Sequence, residues 1–153
     1  MILDGKKLAE EIAQELQETI NTHNLELSLS IVLCGNNPES VLYTGMKKEK
    51  ASQLGINAHV HHLAENITSE EFLHKLQQLD ELSDGIMIQL PLPRHLDTSV
   101  LVNALDPAKD VDGLTAVSMG KLARGDETFA PATPKAIIAL LEKYHVHLSG
   151  KEA

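Results

Sequence analysis

The sequence predicts an α/β protein in which a small, mainly parallel sheet is covered by helices. Amphipathic stretches alternate with short aliphatic stretches in the order helix, strand, helix, strand, helix, strand, helix. The segments between the strands are long enough for crossover connections, which favours parallel strands wound right-handed. Hydrophobic residues make up 42% of the 153 residues and aromatic residues 3%, so we expect an aliphatic core.

Length, charge and cysteine content restrict the class of protein further. The length fits one domain. A formal net charge of −9 and a pI near 5.3 argue against binding to nucleic acid or to an anionic membrane surface. The single cysteine, Cys34, lies in an aliphatic stretch and is interpreted as a small buried residue. The sequence offers no signal peptide and no apolar run of membrane-spanning length, so we expect a cytoplasmic protein that binds a small molecule or another protein.

The amino-terminal segment is predicted to form an amphipathic helix. Apolar residues recur every four positions, which predicts a helix from Lys6 to about His23. The apolar face carries Leu8, Ile12, Leu16 and Ile20. Charged residues fill the opposite face.

A strand, a turn and a second helix are predicted next. The apolar run from Leu29 to Cys34 predicts a strand, which ends at the turn Gly35-Asn36-Asn37-Pro38. Ser40 is predicted to cap the helix that follows. Gly55 is expected to end that helix in a left-handed conformation. Asn57 to Leu63 is predicted to form the second strand.

Three histidines lie in this second strand. Alternation places His59 and His61 on one face of the strand and His62 on the other. A metal site would need further converging ligands, and no cysteine or acidic residue nearby has suitable spacing. We therefore interpret them as ordinary strand-end or surface histidines.

The middle of the chain predicts a third helix and a third strand. Thr68 and Glu71 have the spacing of a capping box, and the helix is expected to run to about Leu82 with three apolar residues pointing inward. These inward residues are Phe72, Leu76 and Leu79. The aliphatic run from Ile86 to Leu90 predicts a strand. Because Pro91-Leu92-Pro93 follows it, the strand is expected to stop near Gln89.

The last third of the chain gives weaker signals. A helix is predicted from Asp97 to Leu105, and the segment with Met119 and Leu122 stays unassigned. Thr133-Pro134 predicts the start of a final helix, with the threonine as N-cap, that runs to about Tyr144. The remaining residues are interpreted as the start of a strand or of a linker.

Polar side chains are expected to meet at one edge of this sheet. Ligands of parallel sheets bind beyond the carboxyl ends of the strands, where the turn after Cys34 and the end of the third strand meet. Tyr43 and Lys47 lie four residues apart on one face of the second helix and can face Gln89 across a cleft. A tyrosine and a lysine at this spacing are also typical of a solvated helix without a site.

Several short motifs together resemble one enzyme family. Taken in order, they are Ile2-Leu3-Asp4-Gly5-Lys6, Gly35 through Ser40 with Tyr43 and Lys47, Gly55-Ile56, Asp84-Gly85-Ile86, Gln89-Leu90-Pro91-Leu92-Pro93, Lys109-Asp110-Val111-Asp112-Gly113 and Pro131-Ala132-Thr133-Pro134. They cover nearly the whole chain. The set resembles the methylene-tetrahydrofolate dehydrogenase/cyclohydrolase family, the bifunctional FolD-type enzymes of one-carbon metabolism.

The resemblance implies a domain organisation. Residues 1–147 are expected to form the amino-terminal, folate-binding and catalytic domain, a three-layer α/β/α unit of the aminoacid dehydrogenase-like type. Residues 148–153 are expected to begin the linker to an NAD(P)-binding Rossmann domain that is absent from this chain, because no glycine-rich dinucleotide fingerprint is present. We therefore expect a fragment of a longer protein, which the resemblance implies is a homodimer.

The resemblance also implies a pair of reactions. The full-length enzyme is expected to oxidise 5,10-methylene-tetrahydrofolate with NADP or NAD, and to hydrolyse the resulting methenyl compound to 10-formyl-tetrahydrofolate. The nicotinamide cofactor would be bound mainly by the absent domain, so no cofactor-binding residue is assigned in this chain, and no metal site. The fragment alone is expected to lack dehydrogenase activity.

Residue roles follow from the same resemblance. Lys47 matches the principal catalytic acid or base, Gln89 is expected to hydrogen-bond Lys47, and Tyr43 matches a tyrosine that stacks on the folate. Asp112 matches the aspartate that binds the pterin. Leu90 and Pro91, next to Gln89, are expected to contact the substrate.

One neighbouring residue and two other protein classes complete the interpretation. Asp110 is interpreted as a residue that shapes its turn. A short-chain dehydrogenase also uses Tyr-x-x-x-Lys, but its glycine-rich cofactor turn precedes that motif, and the 42 residues before Tyr43 contain no such turn. A non-catalytic module that binds folate or pterin remains the alternative.

Overall fold

The computed structural model describes residues 2–126 and 129–152. Its elements are α1 (Gly5–His23), β1 (Ser28–Cys34), α2 (Pro38–Gln53), β2 (Asn57–Leu63), α3 (Ser69–Leu82), β3 (Gly85–Ile88), α4 (Thr98–Val102), α5 (Ala116–Arg124) and α6 (Ala132–Lys143). The three strands are parallel in the order β2-β1-β3. This arrangement confirms the predicted α/β fold.

β1 is the central strand of the sheet. It pairs with β2 from Ser28 to Cys34 and with β3 from Leu29 to Val32. Cys34 at its end is buried, in agreement with the prediction. Because α2 connects β1 to β2 and α3 connects β2 to β3, the loops that follow the three strands lie at one edge of the sheet, which we call the carboxyl edge.

The main core lies between the sheet and helices α3 and α4. The three inward residues predicted for α3 are each at most 3% exposed, and Phe72 has no exposed surface. They pack in one cluster with Val32, Ile86, Ile88, Leu101, Val102 and Leu105. The aliphatic composition of this cluster agrees with the expectation from the sequence.

Helices α1 and α6 are less completely buried. Ile20 is the one buried residue of α1 among those described, whereas Ile12 is 41% exposed. Ile137 of α6 is 54% exposed, and the two helices together line an apolar groove of about 430 Å³. None of the helices in the described part of the chain is long and apolar enough to cross a membrane.

Two predicted helix starts are wrong. Asn37 rather than Ser40 caps α2, because its side-chain oxygen accepts the Ser40 N–H at 3.0 Å and Pro38 occupies the first turn. α6 begins at Ala132, one residue before Thr133, without a side-chain cap. The proline that follows Thr133 loses no hydrogen bond, since the first N–H groups of a helix have no partner within the helix.

The last third of the chain differs from the prediction in extent. α4 ends at Val102, so the helix predicted to reach Leu105 is shorter. The unassigned segment with Met119 and Leu122 forms α5, which Thr115 caps. Residues 145–152 contain neither helix nor strand.

Candidate functional site at the carboxyl edge of the sheet

Gln89 and Lys47 form a hydrogen bond at the carboxyl edge. β3 ends at Ile88, as predicted, and the Gln89 N–H still donates to the Val32 carbonyl at 2.8 Å. The Gln89 side chain donates through Nε2 to the Leu90 carbonyl at 2.8 Å, and this bond directs Oε1 away from that carbonyl. Lys47 Nζ donates to this Oε1 at 2.9 Å. The sheet and the Leu90 carbonyl therefore hold an amide acceptor against the amine.

α2 presents Tyr43 and Lys47 beside each other. Thr44, between them, is buried and donates its hydroxyl to the Ser40 carbonyl at 2.9 Å, so it marks the inner face of the helix. Tyr43 is 55% exposed and Lys47 is half-buried. An accessible aromatic face thus lies one helical turn from an amine that is partly removed from water.

Asp112 interacts electrostatically with Lys47. Its carboxyl group is half-buried, and burial raises its pKa above the ordinary value. The Lys47 ammonium acts in the opposite direction and lowers the pKa, whereas the Asp110 charge raises it. Asp112 therefore lies close enough to Lys47 for the two charges to interact.

Asp110 lies two residues before Asp112 and has a different environment. It is 1% exposed and accepts hydrogen bonds from Leu114 N–H at 3.1 Å, Thr115 N–H at 2.8 Å and Ser118 Oγ at 2.8 Å. Burial acts to raise the pKa of Asp110, but these hydrogen bonds outweigh it and hold the pKa below its ordinary value. Asp110 shapes the turn, as expected, and also anchors the start of α5.

Leu90 and Pro91 complete the group of predicted site residues. Leu90 is half-buried against the core cluster, and Pro91 is exposed, with a cis peptide bond between them. A hollow of about 560 Å³ lies beside them, lined by residues 34–37, Glu65 and residues 91–95. Both residues thus lie at the carboxyl edge, next to Gln89.

The histidines of β2 have structural partners. His61 lies within 3.0 Å of the Ser30 hydroxyl, and burial lowers its pKa. His62 donates from Nε2 to the Gly35 carbonyl at 2.7 Å, which ties β2 to the turn that leads into α2. His59 and His61 share a face, as predicted. No group of three or more metal-ligating side chains with suitable geometry occurs within the described ranges.

Two of these contacts were absent from the sequence interpretation. The bond from His62 to the Gly35 carbonyl joins segments far apart in the sequence, and no local pattern predicts it. The partners of Asp110 were missed as well, although Thr115 and Ser118 have the spacing of a helix N-cap and its third residue. This spacing could have identified α5.

Comparisons with known proteins agree on one family. Residues 3–112 match the family model described as tetrahydrofolate dehydrogenase/cyclohydrolase, catalytic domain. A bifunctional FolD protein of Nautilia profundicola is 40% identical over 99% of this chain and 55% of its own length. The chain thus spans about half the length of the curated relatives it matches.

Solved structures give the same result. The crystal structure of a bifunctional FolD methylenetetrahydrofolate dehydrogenase/cyclohydrolase from Campylobacter jejuni is similar with a TM-score of 0.93 and 36% identity, over 99% of this chain and 56% of the other. A Trypanosoma brucei FolD, solved with NADP cofactor and an inhibitor, is similar with a TM-score of 0.92 and 29% identity. That match covers 99% of this chain and 54% of the other.

Proposed function

Since the chain belongs to the tetrahydrofolate dehydrogenase/cyclohydrolase catalytic-domain family, we propose that it is the folate-binding and catalytic part of a bifunctional one-carbon enzyme. Residues 1–147 form this part, and residues 148–153 begin the linker to an NAD(P)-binding domain. The whole protein is a cytoplasmic homodimer that acts on tetrahydrofolate derivatives.

The proposed enzyme catalyses two successive steps. It first transfers a hydride from 5,10-methylene-tetrahydrofolate to the nicotinamide of NADP or NAD, and then hydrolyses the methenyl product to 10-formyl-tetrahydrofolate. The nicotinamide supplies the hydride acceptor and is bound mainly outside this chain. For the first step, the residues of this chain orient the folate ring. For the second, they also transfer a proton.

The hydrogen bond between Lys47 and Gln89 is the observation that carries this proposal. In the hydrolytic step, a water oxygen attacks the cationic methenyl carbon between two nitrogens, and Lys47, acting as the general base, takes a proton from that water. The hydroxyl of this adduct then loses its proton to solvent as it becomes the formyl carbonyl, the bond from the carbon to N5 breaks, and Lys47 returns its proton to N5. The Gln89 oxygen, 2.9 Å from Nζ, keeps the amine directed at the carbon through both transfers.

Tyr43 and Asp112 hold the substrate in this proposal. The exposed ring of Tyr43 offers a face on which the folate stacks. The pterin edge presents adjacent N–H donors, which the ionised Asp112 carboxylate accepts as a pair. Leu90 and Pro91 contact the ring beside Gln89. Together these residues place the one-carbon unit near Lys47.

The test uses the 153-residue chain alone and joined to the carboxyl-terminal half of the Campylobacter jejuni relative. We expect the chain to bind 5-formyl-tetrahydrofolate, and the chimera to oxidise methylene-tetrahydrofolate and hydrolyse the methenyl product. Lys47→Ala should lower the rate of hydrolysis about 10²- to 10⁴-fold while folate binding persists. Lys48→Ala, an exposed lysine on the same helix, is the matched control and should leave the rates unchanged.

Three outcomes would contradict the proposal or change it. Absence of folate binding to the folded chain would exclude the assignment. Binding without turnover in the chimera, with Lys47→Ala making no difference, would favour a non-catalytic folate-binding module. Robust NAD(P)-dependent oxidation by the chain without its added half would contradict the proposed division of labour between the domains.

A further inference from the structure

The buried carboxylate of Asp110 has no part in the mechanism above, yet it is one of the most completely enclosed charged groups among the described residues. Both oxygens of this carboxylate accept hydrogen bonds from residues that follow Asp110 in the sequence. The three donors are the Leu114 N–H, the Thr115 N–H and the Ser118 hydroxyl. The Thr115 hydroxyl donates in turn to Ser118 Oγ at 2.9 Å. Such a fully hydrogen-bonded buried charge makes the surrounding backbone rigid.

The turn that carries Asp112 begins at Asp110 and is fixed at both ends. The Ile86 N–H donates to the Lys109 carbonyl at 2.8 Å, and Asp110 pairs with Ile86 as a parallel bridge. Gly113 ends the turn with φ of +66°, and a Cβ atom there would lie 2.7 Å from the Phe129 carbonyl oxygen. The backbone on either side of Asp112 therefore has little freedom to move.

β3 is common to this turn and to the amine site. Ile86 holds Asp110 through the bridge, and Gln89, three residues further along, accepts the hydrogen bond from Lys47. β3 and the residue after it therefore connect the turn that carries Asp112 to the hydrogen bond that holds Lys47. A change at Asp110 should alter this relation without touching Gln89.

We propose that Asp110 is the positioning residue for Asp112. Its buried, hydrogen-bonded carboxylate fixes the turn that presents Asp112 to the folate, and its negative charge acts on the Asp112 carboxylate. This inference rests on the proposed folate-binding function. Asp110 does not touch the substrate. It acts through the geometry and the charge of its neighbour.

The charge of Asp110 should affect the pH dependence of folate binding. Among the described residues, the charges of Lys47 from α2 and of Asp110 from its own turn act on Asp112, and Asp110 raises the pKa of Asp112. An ionised Asp112 binds the pterin edge, so folate binding should weaken as the pH falls through this raised pKa. Removing the charge of Asp110 lowers the pKa of Asp112. The part of the pH profile in which folate binding weakens on acidification, the acid limb, should therefore move to lower pH.

The experiment measures the dissociation constant of 5-formyl-tetrahydrofolate for the 153-residue chain between about pH 4 and pH 8, by calorimetry. Asp110→Asn should weaken binding about tenfold at neutral pH, on the scale of a broken hydrogen-bond network, and should move the acid limb to lower pH. Glu26→Gln makes the same change of charge at an exposed carboxylate that precedes β1 and is the matched control. The ionisation of the ligand is common to all variants and cancels in the comparison.

Ser118→Ala provides a second variant that keeps the charge of Asp110. It removes one donor, so binding should weaken a few-fold at every pH while the acid limb stays in place. Circular dichroism of each variant reports whether the fold persists, and if Asp110→Asn does not fold, unchanged binding in Ser118→Ala would still overturn the positioning role.

The outcomes separate this inference from the proposed function. If the wild-type chain binds no folate, the proposed function fails. If the wild-type chain binds folate and Asp110→Asn lowers affinity by one factor at every pH, Asp110 is merely structural and the inference is overturned. Unchanged binding in Ser118→Ala would likewise overturn it.

Discussion

The layer between the sheet and α3 and the carboxyl edge of the same sheet are built on different principles. The first is closed and apolar, and its central side chains, such as Phe72 and Leu79, are at most 1% exposed. The second is partly open and polar. Its side chains are held by individual hydrogen bonds, such as that from Lys47 to Gln89.

The difference shows what each region is stabilised by. In the closed layer, stability comes mainly from the area removed from water and from close packing. At the carboxyl edge, polar side chains are held by individual hydrogen bonds, and the half-buried Asp112 carries a pKa raised by burial. A site of this kind is expected to reduce stability at the point where it binds.

The largest expected effect is in the closed layer. Phe72→Ala should lower the free energy of unfolding by about 3 to 5 kcal/mol, because it removes a buried ring and leaves a cavity beneath the sheet. Urea denaturation measures the change. Leu82→Ala is the control on the same helix, since Leu82 is 73% exposed, and it should change stability by less than about 0.5 kcal/mol. Similar losses in the two variants would show that the α3 layer is not the main core.

The closed layer could be predicted from the sequence because its signal is local. Phe72 and its neighbours recur with the period of a helix, and the aliphatic runs of β1 and β3 are long enough to identify buried strands. The same reasoning was less successful for α1, where the apolar face is regular but Ile12 stays 41% exposed. Periodicity predicts which face is apolar, but not whether a partner covers it.

The carboxyl edge could be predicted only in part. The parallel order of strands brings Lys47 and Gln89 to one edge, and the sequence identified both residues. The caps at Ser40 and Thr133 were wrong, because a neighbouring asparagine competes in the first case and proline tolerates the first helical turn in the second. The bond from His62 to the Gly35 carbonyl forms through tertiary packing, which no local pattern reveals.

Loss of the helix cap of α3 at the carboxyl edge should reduce stability less than the loss of the Phe72 ring. Thr68 caps α3 there, since its hydroxyl accepts the Glu71 N–H at 3.2 Å while the Glu71 carboxylate accepts the Thr68 N–H at 2.8 Å. Thr68→Ala should lower the free energy of unfolding by about 1 kcal/mol, whereas Thr68→Ser, which keeps the hydroxyl, should retain most of it. A loss as large as that of Phe72→Ala would contradict the distinction between the two regions.

The smallest effect has the opposite sign and concerns Asp112. Because its pKa in the folded chain is raised, the folded state holds the proton to a higher pH than the unfolded state does. Its contribution to stability is therefore full below the ordinary aspartate pKa and is lost as the pH rises through the raised value. Asp112→Asn removes this loss, so the free energy of unfolding should rise slightly at pH 7 and should match the wild-type value near pH 3.

Urea denaturation of Asp112→Asn at both pH values, beside Asp110→Asn, measures the contrast directly. The pKa of Asp110 is lowered by its hydrogen bonds, so its contribution is present above the ordinary aspartate pKa and is lost as the pH falls. Asp110→Asn should therefore destabilise the chain at pH 7, where Asp112→Asn stabilises it. If both variants were less stable than the wild type at pH 7, Asp112 would support the fold, and the view that the ligand-facing edge is held at the expense of stability would be wrong.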